Sequence, residues 1–245
     1  MDANDELAAA GRVILVSGAS RGIGAAIAQR LHRDGYALSL GVRDVAAARA
    51  RWPQVGGARV EWFAFEALDP ASSRAWIDAT HDRFGRIDGL INNVGILRQV
   101  TFTAPDEAAL DEMWGVNVKA PFRLIALALP HLRRAGHGRI INIASTDAKR
   151  YRDASVSVGY AMTKHAVAAL SHAARFAGWD DGVRVTAVCP GAVDTELLAG
   201  VPGVVPGPGR ISPAVIARAV SFLLSLPDNA SVAELPVNPR LESTL

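Results

Sequence analysis

The chain has 245 residues, 26 basic side chains against 24 acidic ones, a formal net charge of +2 and half its residues apolar. That is enough for one large α/β domain with a substantial core, and no block of like charge suggests a nucleic-acid arm or an acidic tail. A lone cysteine, Cys189, leaves no intrachain disulfide and suits a reducing compartment. The acidic, polar start and the lack of an apolar run of about 18 residues predict a cytoplasmic protein with no membrane or nucleic-acid partner.

Residues 13–16, Val-Ile-Leu-Val, read as a parallel strand buried on both faces, and they lead into Gly18, Ala19, Ser20, Arg21, Gly22, Ile23 and Gly24. Residues 23–32 predict a helix. A glycine-rich turn between strand and helix lets the backbone approach a pyrophosphate and sets free helix N–H groups before it. Residues 36–42 and 60–65 predict the next two strands, with an Ala/Arg-rich helix over 45–51 between them. Asp69 and Pro70 form an N-cap and a first-turn proline for a helix over 72–84, and residues 88–92 give a fourth strand ending in Asn92, Asn93, Val94 and Gly95. A short acidic helix is expected over 106–111 and a long one, containing Asn117, over 113–132.

Residues 139–144 predict the fifth strand, which delivers Ser145 to the C-terminal end of the sheet, where ligands bind in open α/β folds. Residues 160–179 predict a helix whose four-residue spacing puts the Tyr160 phenol and the Lys164 ammonium on one face, one turn apart. A cation at about 4 Å in an effective dielectric near 20 is worth about 4 kcal/mol, or about three pKa units, which would bring a phenol from near 10 to around 7. Residues 183–188 are the sixth strand, ending at Cys189, Pro190 and Gly191. The Pro- and Gly-rich stretch that follows, about 195–212, reads as an irregular substrate lid, and 213–225 as a final helix. The whole predicts a single doubly wound Rossmann-type domain over 1–245, mainly parallel, with helices on both faces. His165 and His172 lack the spacing of metal ligands.

In order along the chain, the turn Gly18 to Gly24, Asn92-Asn93-Val94-Gly95, Asn117, Ser145, the Tyr160/Lys164 pair and Pro190-Gly191 resemble the motifs of the short-chain dehydrogenase/reductase family, from about residue 12 to about 225. The resemblance implies an enzyme that moves a hydride between NADP(H) and a small carbonyl or secondary alcohol. In it Tyr160 exchanges the oxygen-bound proton, Ser145 hydrogen-bonds that oxygen, Lys164 holds the ribose and lowers the tyrosine pKa, and Asn117 bends its helix and anchors a relay water. Cofactor contacts are implied for Gly18, Ser20, Arg21, Gly22, Ile23, Gly24, Arg43, Glu66, Asn93, Tyr160, Lys164, Pro190, Gly191, Val193 and Thr195. A homodimer or homotetramer is implied through helices at 124–132 and 160–176. Two other readings stay open: a non-catalytic dinucleotide-binding regulator, and an epimerase or dehydratase on the same fold.

The chain departs from the family pattern in several places. Val94 replaces Ala beside the cofactor, Glu66 stands where Asp is usual, and 146–159 is about two residues longer; its Lys149, Arg150 and Arg152 read as a solvated loop or, alternatively, as favouring an anionic substrate. Residues 232–237, followed by Asn238-Pro239-Arg240, depart from the family's closing strand. An acid selective for NAD usually ends the second strand; here Val42 does, followed by Arg43, so Arg43 and Arg21 can converge on a 2′-phosphate and favour NADP(H) over NAD(H). Asp44 takes the acid's place if the strand register slips by two.

Overall fold

The computed structural model describes residues 6–198, 207 and 209–241. Seven parallel strands, β1 (Val13–Ser17), β2 (Ala37–Val42), β3 (Val60–Ala64), β4 (Gly89–Asn92), β5 (Arg139–Ile143), β6 (Arg184–Pro190) and β7 (Glu234–Val237), form one sheet in the order β3-β2-β1-β4-β5-β6-β7. Between them run α1 (Gly22–Asp34), α2 (Val45–Arg51), α3 (Pro70–Phe84), α4 (Glu107–Trp114), α5 (Ala120–Ala135), α6 (Val158–Gly178) and α7 (Pro213–Ser225).

Side chains alternate across a strand, so β1 feeds two apolar layers. Ile14 and Val16 join Ile27 and Leu31 of α1 and Ile216, Val220 and Leu224 of α7. Val13 and Leu15 join Trp76 and Ile77 of α3 and Leu124, Ala128 and Leu132 of α5. All five β1 residues are buried, as a strand covered on both faces requires. Two buried arginines fasten α7. Arg12 Nη1 donates to the Leu224 carbonyl at 2.7 Å and Arg139 Nη2 to the Leu226 carbonyl at 2.6 Å, which sets positive charge on the carbonyls at the helix C-terminal end. Burial pushes both guanidiniums down in pKa, and Asp228 opposes this at Arg139.

Two expectations are corrected. The helix expected over 113–132 is interrupted: α4 runs on to Trp114, Gly115–Lys119 forms a wider π-type turn, and α5 starts at Ala120 with Pro121 in its first turn. Pro121 has no N–H to continue an α ladder, and the bulge before it holds Asn117. The chain end does close the sheet, since β7 pairs with β6 from Ala187↔Glu234 to Pro190↔Val237. Pro236 is tolerated there because β7 is an edge strand. Of the expected lid, residues 199–206 and 208 lie outside the described residues. Glu196–Leu198 is one 3-10 turn, and Val193 forms a parallel bridge with Ile211.

Candidate active site

The glycine turn follows β1. Gly18 and Gly22 have φ of +69° and +56°, left-handed values that disfavour any side chain. A Cβ on Gly24 would sit 2.2 Å from the Gly18 carbonyl oxygen, so the turn admits only glycine there. Asn93 clamps the turn: its Nδ2 donates to the carbonyls of Ser17 and Gly18 at 2.9 and 3.1 Å, and its own N–H donates to Ser17 Oγ at 3.0 Å. The Asn93 amide is therefore used within the fold. Its neighbour Val94 turns its extra methyls toward the apolar layer of α3 and α5. At the start of α1, Arg21 is extended and gives no side-chain cap, and no acidic residue lies in the first turn. The free N–H groups of Gly22, Ile23 and Gly24 and the positive helix end face the space beyond β1, a cradle that fits a pyrophosphate.

The structure brings the four expected catalytic side chains together. Ser157 caps α6 by accepting the Tyr160 N–H at 3.2 Å, while its hydroxyl donates to the Arg98 carbonyl at 2.7 Å, which fixes where Tyr160 begins. One turn on, Lys164 Nζ donates to the Ile143 carbonyl at 2.9 Å and lies 5.5 Å from the Tyr160 ring centre. Ser145 Oγ accepts the Asp147 N–H at 3.0 Å and stands near enough to the Tyr160 phenol to pull its pKa down. In the π-type turn, Asn117 Oδ1 accepts the Ile96 N–H at 2.9 Å, and its Nδ2 donates to the Ile96 carbonyl at 2.9 Å and to Thr163 Oγ1 at 3.1 Å. A Cβ on Gly95 would stand 3.4 Å from Asn117 Oδ1 and 3.7 Å from Lys164 Nζ, so these groups border one small space. All four side chains are buried, Asn117 most deeply.

The electrostatics differ from the sequence estimate. Burial raises the Tyr160 phenol above its ordinary value and the Asp147 charge adds to this, while the Ser145 hydroxyl pulls it back. Lys164 is itself pushed down to about 8 by burial. The estimate near neutrality set a cation at about 4 Å in an effective dielectric near 20; here the ammonium lies 5.5 Å from the ring centre and is engaged by a carbonyl, and burial is the largest influence on the phenol.

The remaining expected residues divide. β2 ends at Val42, and Asp44 caps α2 by accepting the Ala47 N–H at 2.9 Å, so the two-residue slip does not occur. Arg43 is exposed immediately beyond the strand. Arg21 pairs with Glu196 at 2.7 Å. Glu66 is exposed and accepts the Leu68 N–H at 3.3 Å. Pro190 ends β6, the Gly191 N–H donates to the Val237 carbonyl at 2.8 Å, and the Thr195 methyl would lie 3.3 Å from a Cβ on Gly22. In the insert, Lys149 pairs with Glu234, Arg150 with Asp147 at 2.7 Å and Arg152 with Asp153 at 2.7 Å, so each cation meets a carboxylate, which favours the solvated-loop reading over the anionic-substrate one. His172 contacts Glu234 and His165 the Ala161 carbonyl, and the described residues contain no cluster that could hold a metal.

Sequence reasoning missed two groups. One is the buried chain from Asn92 Nδ2 to Asn142 Oδ1 and from Asn142 Nδ2 to Ser171 Oγ, each 2.8 Å, which ties β4, β5 and α6 together behind Ser145 and Lys164. An asparagine within each of two apolar strands was its signal. The other is Arg51, whose guanidinium lies over Trp52, while the Trp52 indole N–H donates to the Ser20 carbonyl at 2.8 Å.

A family model described as short chain dehydrogenase matches residues 12–202. The chain belongs to the short-chain dehydrogenase/reductase family of oxidoreductases. Among curated relatives, an agropine synthesis reductase of Rhizobium rhizogenes is 39% identical over 235 residues, covering 94% of this chain and 53% of its own. The chain thus spans about half the length of the agropine synthesis reductases it matches. Levodione reductase of Leifsonia aquatica is 32% identical over 192 residues, covering 76% of this chain and 71% of its own. Among solved structures, an alcohol dehydrogenase of the archaeon Thermococcus sibiricus complexed with 5-hydroxy-NADP has a TM-score of 0.85 at 32% identity, covering 94% of this chain and 99% of that one.

Proposed function

We propose that the chain catalyses hydride exchange between NADP(H) and a carbonyl or secondary alcohol, with Tyr160 as general acid and base. The observation that carries this reading is the buried set of Ser145, Tyr160, Lys164 and Asn117 beside a glycine turn with uncapped helix N–H groups. A bound nicotinamide dinucleotide supplies or accepts the hydride. The α1 N–H groups would hold its phosphates. Ser145 Oγ already accepts the Asp147 N–H, which leaves its own proton to hydrogen-bond the substrate oxygen. The Tyr160 phenol, kept protonated by burial, gives its proton to that oxygen in reduction and is left as the phenolate, the form that takes the hydroxyl proton back in oxidation. Lys164 stands between the phenol and the Ile143 carbonyl, where a ribose can meet it, and Asn117 fixes the π-type turn beside it.

NADP(H) is favoured because Arg43 is exposed where an acid would select NAD(H), and because Asp44 is occupied as a helix cap. The complex named for the archaeal relative supports the same choice. A homo-oligomer is supported by the exposed apolar side chains of Phe122 on α5 and of Met162 and Phe176 on α6.

A screen of carbonyls and alcohols followed at the NADPH absorbance band tests the reading. Turnover with net NADPH consumption or formation supports it. A tightly bound cofactor with no net redox change under any substrate would favour the epimerase, dehydratase or regulator instead.

A further inference from the structure

Glu196 follows Thr195 in the 3-10 turn Glu196–Leu198, and each of its carboxylate oxygens faces a guanidinium from a different element. Arg21 of the glycine turn lies 2.7 Å from Oε2, and Arg51, the last residue of α2, lies 3.5 Å from Oε1. Arg51 is placed for this. Its guanidinium carbon lies 5.7 Å from the Trp52 ring centre, and the Trp52 indole N–H is pinned to the Ser20 carbonyl at 2.8 Å. Thr195 packs against Gly22, so the same short segment lies directly on the turn. The two arginines hold the carboxylate well below its ordinary pKa, so it is charged across the neutral range.

A guanidinium fork fits carboxylate and phosphate alike, and exposed ion pairs exchange partners easily. Resting on the NADP(H) reading above, we propose that Glu196 is an internal stand-in for the cofactor's 2′-phosphate: Arg51 is a third phosphate-binding arginine, and a 2′-phosphate displaces Glu196 from Arg21 and Arg51 and so frees the turn Glu196–Leu198. Cofactor phosphate and the turn Glu196–Leu198 are then coupled through one carboxylate. An unphosphorylated ribose leaves the pair in place.

The test uses 2′,5′-ADP and 5′-AMP as probes of the full chain, by calorimetric titration and by amide hydrogen exchange over residues 193–198. In the parent, 2′,5′-ADP speeds exchange at 196–198 and 5′-AMP does not. Glu196→Gln, which removes the competing charge, tightens 2′,5′-ADP by about fivefold and leaves 5′-AMP within about twofold, the scale of one exposed charge pair. Arg51→Ala weakens 2′,5′-ADP selectively by a similar factor. If Glu196→Gln leaves both affinities unchanged or weakens both, or if Arg51→Ala affects both probes alike, the displacement is overturned, while a parent that prefers 2′,5′-ADP keeps the cofactor reading. A parent that prefers 5′-AMP, with Glu196→Gln and Arg51→Ala both without effect, overturns the two together.

Discussion

Arg43→Ala isolates the group on which cofactor choice turns. Of the two arginines that the sequence directs at a 2′-phosphate, Arg21 already shares its charge with Glu196, whereas Arg43 is exposed beyond β2 and makes no ion pair among the described residues. Arg43 therefore carries the larger part of the interaction. A hydrogen bond to a charged group contributes about 1.5–3 kcal/mol, which corresponds to roughly a tenfold to hundredfold loss of kcat/KM with NADPH. Neither ribose hydroxyl of NADH needs a cation, so its kcat/KM stays within about twofold, as expected when only the phosphate contact is removed. The assay is initial-rate kinetics with both cofactors at one carbonyl concentration. Equal losses with NADPH and NADH, or a parent that works better with NADH, would refute the assignment.

Arg139→Leu removes a buried guanidinium that serves Leu226, Gly182 and Asp228, so the unfolding free energy should fall by about 3 kcal/mol, read from urea midpoints; a loss under about 0.5 kcal/mol would contradict the anchoring of α7. Burial pushes Lys164 down to about 8 from an ordinary value of 10.5, so the unfolded chain binds the extra proton between those values, and the stability linked to this group rises with pH across that window. Chemical denaturation of Lys164→Met at pH 8 and pH 10 should show a flatter pH dependence than the parent; identical slopes would count against the burial-driven shift. Light scattering at micromolar concentration should give a multiple of 25.8 kDa, and Phe176→Glu, which sets charge at a side chain now 88% exposed, should lower it; a monomeric parent would refute the paired-helix assembly.

The sheet was legible because buried parallel strands are unbroken apolar runs, as at Val13 to Val16, and because Asp69-Pro70 marks a helix start by its own hydrogen-bonding chemistry. The helix over 45–51 and the one over 213–225 match the structure end to end. The π-type turn at Asn117 was implied by the family resemblance as a bend but was not legible in the residue pattern, since a π-bulge and an α-helix share nearly the same side-chain pattern. Nor was β7: Glu-Leu-Pro-Val carries a proline that argues against a strand, and only its edge position admits it. The catalytic residues were found by type and spacing, but the phenol's electrostatics were not, because spacing gives distance along a helix and says nothing of the hydration lost on burial. The cations of the insert could not be read as paired for a related reason. Their partners, Glu234, Asp147 and Asp153, lie partly in distant sequence, and Glu234 reaches Lys149 only once β7 is in the sheet.

The central claim is that Tyr160 moves the proton while the rest of the set binds and orients. Tyr160→Phe keeps the ring and its packing against Val100 and Met113 and removes only the hydroxyl. The direct measurement is kcat beside the NADPH dissociation constant for this variant and the parent. The account predicts that kcat falls at least about a thousandfold, within the range of general acid catalysis, while the dissociation constant changes less than about threefold. A variant that retains kcat within tenfold of the parent would contradict it.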